Sequence, residues 1–254
     1  MLTPKEIVFE SIQIGIGKVN RKNIIVFISA ILGGFYIGLG FYGYIVASSG
    51  FMNTNYSILG NILGAIVFPV GLVLIIITGA DLFTGNCLIF FGWLDKRFRL
   101  WYVFKNLLIV YMGNLVGSLF LVGLIYYSNL SSSEVIKDFI VTVSERKVNI
   151  NFLEGLTRGI LCNILVSMAV YMSYASKTIP GKILAAILPV SLFVICGFEP
   201  SVANMFIIPL GYFSGADITL KGLFINNLLP VTLGNFIGGG IIISGAYYLI
   251  YRKK

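Results

Sequence analysis

Gly79-Ala80-Asp81-Leu82-Phe83-Thr84-Gly85-Asn86 and Gly197-Phe198-Glu199-Pro200-Ser201-Val202-Ala203-Asn204 are two versions of one phrase: a glycine, a carboxylate two residues on, then a small residue and an asparagine. The likeness extends outward on both sides. Pro69-Val70-x-Leu72 precedes the first phrase and Pro189-Val190-x-Leu192 the second. Downstream, Asn106-Leu107-Leu108-x-Val110-x-x-Gly113-Asn114-x-x-Gly117 is matched by Asn227-Leu228-Leu229-x-Val231-x-x-Gly234-Asn235-x-x-Gly238. Two related halves lie in one chain, and apolar proteins built this way typically carry a pathway at the repeat interface, where interrupted helices meet.

With 57% hydrophobic and 11% charged residues and a mean hydropathy of +0.94, the chain is far more apolar than a soluble domain. It reads as an all-α integral membrane protein. Apolar stretches long enough to cross a hydrocarbon core of about 30 Å run over 24–47, 58–94, 100–127, 152–174, 183–214 and 222–251, which predicts six transmembrane helices. The second and fifth exceed one ordinary span, and each holds a glycine and an acid in its middle, so these two are predicted to be broken. Three spans per half make the second repeat inverted, with the two breaks meeting near the bilayer midplane from opposite faces. The expected organisation is one transmembrane domain over 1–254, with an amphipathic segment at 1–22 and repeats at 23–129 and 151–252.

Orientation follows from the cations, because short cytoplasmic loops retain Lys and Arg. Lys5, Lys18, Arg21 and Lys22 precede span 1; Lys96, Arg97, Arg99 and Lys105 lie between spans 2 and 3; Lys177 and Lys182 lie between spans 4 and 5; Arg252, Lys253 and Lys254 follow span 6. All fall on one side, so both termini are expected in the cytoplasm. The formal net charge of +8 is largely this topological bias, not a nucleic-acid-binding surface. No secretory signal is expected in the first 22 residues, where Thr3-Pro4-Lys5-Glu6 reads as a capping box opening a short amphipathic helix. That helix admits two readings, an interfacial anchor or a plug at a pore mouth.

The three cysteines, Cys87, Cys162 and Cys196, show neither a disulfide framework nor metal spacing, and no cofactor or metal is expected. The chain has no histidine, which excludes imidazole relays and Ser-His-Asp triads. An enzyme is accordingly not expected.

Asp81 and Glu199 are expensive in hydrocarbon and need partners. Standing where a helix breaks, each could cap backbone N–H groups that have lost their internal acceptors, or take part in proton transfer. Thr84 could offer its hydroxyl to a passing solute or simply pack. Asn114 and Asn235 read either as glue between closely packed helices or as pore-lining groups. Lys147 reads as an ordinary loop cation.

Together with Asn163 in span 4 and Pro230-Val231-Thr232-x-Gly234-Asn235-x-x-Gly238-Gly239, these phrases resemble the formate/nitrite transporter family over about residues 5 to 252. The resemblance implies an aquaporin-like fold, a homopentamer with one pore per protomer, a place in the bacterial inner membrane, and passage of small monovalent anions such as formate, nitrite or hydrosulfide. Position by position it implies a cytoplasmic constriction of Leu72 and Phe193 with Phe68 nearby, and a periplasmic one of Leu82, Phe83 and Val166. It implies a central chamber touched by Thr84, Asn163 and Asn235, and makes Lys147 the external lysine that attracts anions. One position departs from the family pattern: the histidine that follows the glutamate of the fifth span is Pro200 here. Pro200 suits the start of a half-helix, since its missing N–H is not needed there, but it leaves the chamber without an imidazole. The alternative expectation is an aquaporin-like channel for small neutral solutes, against which stands the absence of Asn-Pro-Ala repeats.

Overall fold

The computed structural model describes residues 1–252; Lys253 and Lys254 of the cation count lie outside the described residues. Ten helical elements follow one another: α1 (Pro4–Asn20), α2 (Asn23–Ser49), α3 (Ser57–Thr78), α4 (Phe83–Leu94), α5 (Leu100–Tyr127), α6 (Glu134–Val148), α7 (Phe152–Tyr174), α8 (Ile179–Ile195), α9 (Ser201–Phe213) and α10 (Gly222–Tyr251). Among the described residues there is no strand. Five of these helices, α2, α3, α5, α7 and α10, are long and apolar enough to cross a membrane, whereas α4, α8 and α9 are shorter apolar helices.

The two interruptions fall where the glycines predict. α3 ends at Gly79 with φ of 78°, and the chain beyond α8 turns at Gly197 with φ of 69°. This left-handed conformation costs other residues a Cβ clash that glycine lacks, so the helix stops there without strain. Helix resumes at Phe83 and at Ser201.

Residues that follow the two breaks, Leu82 and Thr84 on one side and Pro200 on the other, line one small cavity. The 22 residues of α3 rise through about 33 Å at 1.5 Å per residue before the turn at Gly79. Asp81 meets Lys18 in the last turn of α1 and Arg21 just beyond it, while Glu199 meets Lys147 at the end of α6. The two carboxylates are thus held by separate sets of cations.

The long helices pair, α2 along α5 and α7 along α10. In a membrane no hydrophobic force draws apolar helices together, so close backbone approach has to supply the packing. Gly117 on α5 allows it, because a Cβ there would run into the Ile31 carbonyl; Gly238 on α10 meets the Ile160 carbonyl in the same manner. α10 departs from α5 in having π-helical turns at Gly222–Leu228 and Ile237–Ile243. α1 opens on the predicted capping box, Glu6 N–H to Thr3 Oγ1 and Thr3 N–H to the Glu6 carboxylate. Its apolar face is not spread on an interface: Val8 and Ile12 are buried within the protein, the Leu2 N–H donates to the Ala175 carbonyl, and the Tyr171 hydroxyl donates to Pro4.

The same substitution should have opposite effects at two glycines. Gly117→Ala places a methyl against backbone and should lower the thermal stability of the purified protein. Gly17→Ala, on α1 with nothing within 4 Å, should be neutral or raise it by about 0.5–1 kcal/mol. Equal melting temperatures for the two variants would contradict the packing.

Candidate functional site

Two crossed networks of buried polar groups hold the breaks. In the first, Lys18 Nζ lies 2.7 Å from Asp81 Oδ1 and also donates to Asn86 Oδ1. Arg21 donates to Asp81 Oδ2 at 2.7 Å, Asn86 Nδ2 donates to Asp81 and to Asn106 Oδ1, and Asn106 Nδ2 returns to the Lys18 carbonyl. In the second, Lys147 Nζ lies 3.0 and 2.8 Å from the two Glu199 oxygens. Asn204 Nδ2 donates to Glu199 and to Asn227 Oδ1, and Asn227 Nδ2 donates to the Lys147 carbonyl. The wiring is the same: lysine, carboxylate, asparagine five residues later, asparagine of the following span, and back to the lysine backbone. A buried carboxylate left alone would be prohibitively costly, and here each is paired and hydrogen-bonded.

The carboxylates are consequently not the caps of the restarting helices. Among the described residues no backbone N–H donates to Asp81 or Glu199; their oxygens are taken by side chains. The caps come from the neighbouring span. Asn114 Oδ1 accepts from the Phe83 N–H at 2.9 Å, while its Nδ2 donates to the Ala30 and Asp81 carbonyls at 2.7 and 2.9 Å. Asn235 Oδ1 accepts from the Ser201 N–H at 2.9 Å, while its Nδ2 donates to Gly159 and Glu199 at 2.8 and 3.0 Å. Both amides are fully committed, so Asn235 is a scaffold group and has no hydrogen to spare for a solute. Asn163 is likewise buried, with Nδ2 donating to the Thr84 and Asn235 carbonyls; it fixes the backbone behind Thr84 instead of facing an open space.

Three cavities succeed one another between the breaks. One mouth, of about 200 Å³, is lined by Lys18, Arg21 and Lys182 with Leu72, Leu82 and Val170. The other, of about 190 Å³, is lined by Arg146, Lys147, Arg158 and Glu199 with Phe68, Phe193 and Pro200. Between them lies a central cavity of about 20 Å³ walled by Phe68, Leu72, Leu82, Val166, Phe193 and Pro200, with Thr84 the one polar residue among its lining. That is room for about one water molecule.

This geometry corrects the sides given to the constricting residues. Phe68 and Phe193, whose rings meet edge to face at 5.6 Å, belong to the mouth with Lys147, and Leu82 belongs with Leu72 to the mouth with Lys18. The reason is the length of the preceding helices: α8 carries Phe193 most of the way across, and α3 carries Leu82 the whole way. Phe83 lies elsewhere. Its ring packs on Tyr111 at 5.2 Å and lines a lateral groove with Thr232 and Phe236. Lys147 is no free loop cation; it is buried and lies 5.9 Å from the Phe41 ring centroid, with its charge met by Glu199.

A small, almost wholly apolar centre between two cationic mouths suits a conduit for small solutes that are charged in water. The formate/nitrite transporter family profile matches residues 5–249. The chain belongs to the formate/nitrite transporter family. Family members and relatives are channels and transporters, and this one is a membrane channel or transporter, not an enzyme. It is similar to the formate channel FocA of Escherichia coli (strain K12), with 33% identity covering 100% of this chain and 96% of that protein. It is also similar to a probable formate transporter of Methanothermobacter thermautotrophicus, with 36% identity over 90% and 89% of the two chains. Among solved structures, a pentameric formate channel with formate bound superposes with a TM-score of 0.80 at 32% identity, over 91% of this chain and 98% of that one. An FNT family ion channel superposes with a TM-score of 0.84 at 27% identity, over 97% and 98%.

Lys18, Arg21, Asn86, Asn106, Asn204 and Asn227 complete the networks without having been singled out from the sequence. The four asparagines stand inside the repeated phrases, and their recurrence is the signal that could have found them. The two lysines fall outside those phrases, on α1 and α6, and only the fold makes them equivalent.

Removing one member of a buried pair leaves the other charge stranded, at a cost of about 3–5 kcal/mol. Lys147→Met should therefore lower the melting temperature sharply, and Lys147→Met combined with Glu199→Gln should recover most of the loss. A double variant no more stable than the single one would refute the pairing. Asn114→Ala and Asn235→Ala should each destabilise by about 1–3 kcal/mol per orphaned backbone group, as read by thermal unfolding in detergent.

Proposed function

We propose that this family member passes small monovalent anions of the formate class, with nitrite and hydrosulfide as further candidates, and that it passes them with a proton as the conjugate acid. The observation that carries this reading is the central cavity: apolar except for Thr84, about one water molecule in size, and set between two cation-lined mouths. The mouths gather anions by their field. The slits then discriminate against charge, since a bare ion at mid-bilayer costs at least about 2.5–3.5 kcal/mol, and no imidazole is available to share a proton. A proton taken from water at the mouth removes that cost. For the acid, protonation costs about 1.4 kcal/mol for each pH unit above its pKa, which is less than dragging the ion across over the first two units. The Thr84 hydroxyl and the first-turn N–H groups of α4 and α9 are the remaining polar aid within the slits.

The same reading takes the protein as six membrane passes in two inverted three-span repeats, the fifth pass made of α8 and α9. The equivalent lysines favour repeats that begin at α1 and α6, ahead of the 23–129 and 151–252 boundaries. It takes the assembly as a homopentamer, as in the structure similar to it, with both termini cytoplasmic and Lys147 facing outward. A neutral-solute channel is the second reading, favoured by the apolar lining around Pro200.

Flux into liposomes holding the purified protein, with formate, nitrite, hydrosulfide and glycerol compared at two pH values, tests the two. The expected result is saturable formate uptake that rises as pH falls, up to roughly tenfold per unit at fixed total formate, following the acid fraction. Glycerol uptake without formate uptake would reject the proposal. Pro200→His should add a further dependence between about pH 5 and 7, where imidazole titrates; superimposable pH profiles for the two proteins would show that position 200 does not govern gating.

A further inference from the structure

The mouth that holds Lys147 contains more cation than its network needs. Glu199 is the one carboxylate among the residues lining it, and Lys147 takes both of its oxygens. Arg146 on α6 and Arg158 on α7 line the same cavity. Among the described residues Arg146 makes no ion pair. Arg158 has only a 3.8 Å contact with Glu154 in which both side chains are at least 40% exposed, an arrangement worth little. The other mouth is different: there Arg21 is spent on Asp81 together with Lys18, which leaves only the ammonium of Lys182 without a carboxylate partner. Uncommitted guanidinium groups are thus confined to one end of the pathway.

We propose that Arg146 and Arg158 form a capture site for planar oxyanions, the carboxylate or nitrite class, at the Lys147 mouth. This rests on the transport reading above and adds a basis for selection within it. A guanidinium offers parallel N–H donors that match the two oxygens of a carboxylate, whereas a lysine offers a point charge. Planar two-oxygen anions therefore gain at this site over hydrosulfide, which has a single accepting atom. Phe41, Phe68, Phe193 and Phe198 form the apolar part of the same lining. Capture places the anion at the edge of the slit, where Phe68 and Phe193 admit it once it is protonated. Arg146 and Arg158 act on occupancy of the mouth and not on the crossing step, so their effect falls on the half-saturating concentration.

The test is the concentration dependence of formate and hydrosulfide uptake by the full-length protein in liposomes, for the wild type, Arg146→Gln, Arg158→Gln, the double variant and Arg158→Lys. The double variant should raise the half-saturating formate concentration roughly tenfold with the plateau flux held, the size expected when a charge-assisted contact is lost. Arg158→Lys should keep the wild-type hydrosulfide value while formate weakens several-fold, and because it preserves charge and length it carries the test if the glutamine variants fail to assemble. An unchanged formate half-saturation in the double variant, or equal shifts for both anions in Arg158→Lys, would overturn the capture site while leaving transport intact. Absence of any formate flux in the wild type would overturn the transport reading itself, and with it this one.

Discussion

Everything along the pathway depends on two asparagine amides. A helix broken inside a membrane exposes N–H and C=O groups to a medium that cannot solvate them, at several kcal/mol each. Asn114 and Asn235 meet that demand from the adjoining span, each accepting from the first N–H of a restarting helix and donating to two carbonyls. Because each amide is saturated, the position of each half-helix is fixed relative to the span that carries the asparagine. Exchanging Oδ1 and Nδ2 would set oxygen against two carbonyls, so the orientation is dictated by the partners themselves.

The carboxylates are then free for a different task. Asp81 and Glu199 tie the breaks to α1 and α6 through Lys18 and Lys147, and the asparagines five residues on complete each circuit. Such pairs add little net stability over an apolar alternative, but they specify one arrangement strongly, since any misplacement strands a charge. The Glu199 pair is neutral, whereas Lys18 and Arg21 together leave one positive charge over Asp81. The field at the mouths comes from that excess and from Arg146, Arg158 and Lys182.

Much of this was legible in the amino-acid sequence, and the reason is the repeat. Gly79 and Gly197 announced the breaks because the left-handed turn that ends a helix favours glycine, and the apolar lengths announced the spans. Depth was not legible. The sides of the constricting residues came from the family resemblance and not from the spans, and the cavities regroup them, Phe193 with Phe68 and Leu82 with Leu72. The role of Asn235 was open between glue and pore because an amide looks the same in either setting until its partners are known. Phe83 was misassigned because a residue at a helix start can face the pathway or the neighbouring span, and Tyr111, which receives its ring, lies far away in sequence. The π-turns of α10 had no local sequence signal at all.

The proposal turns on charge: the mouths hold cations, the centre is lined by apolar groups and Thr84, and the solute is proposed to cross neutral. Lumenal pH, followed with a trapped dye while formate enters liposomes at clamped membrane potential, addresses this directly. A neutral crossing predicts that the lumen acidifies in proportion to formate uptake, one proton for each formate, with no current. Formate entry that carries current and leaves lumenal pH unchanged would contradict it.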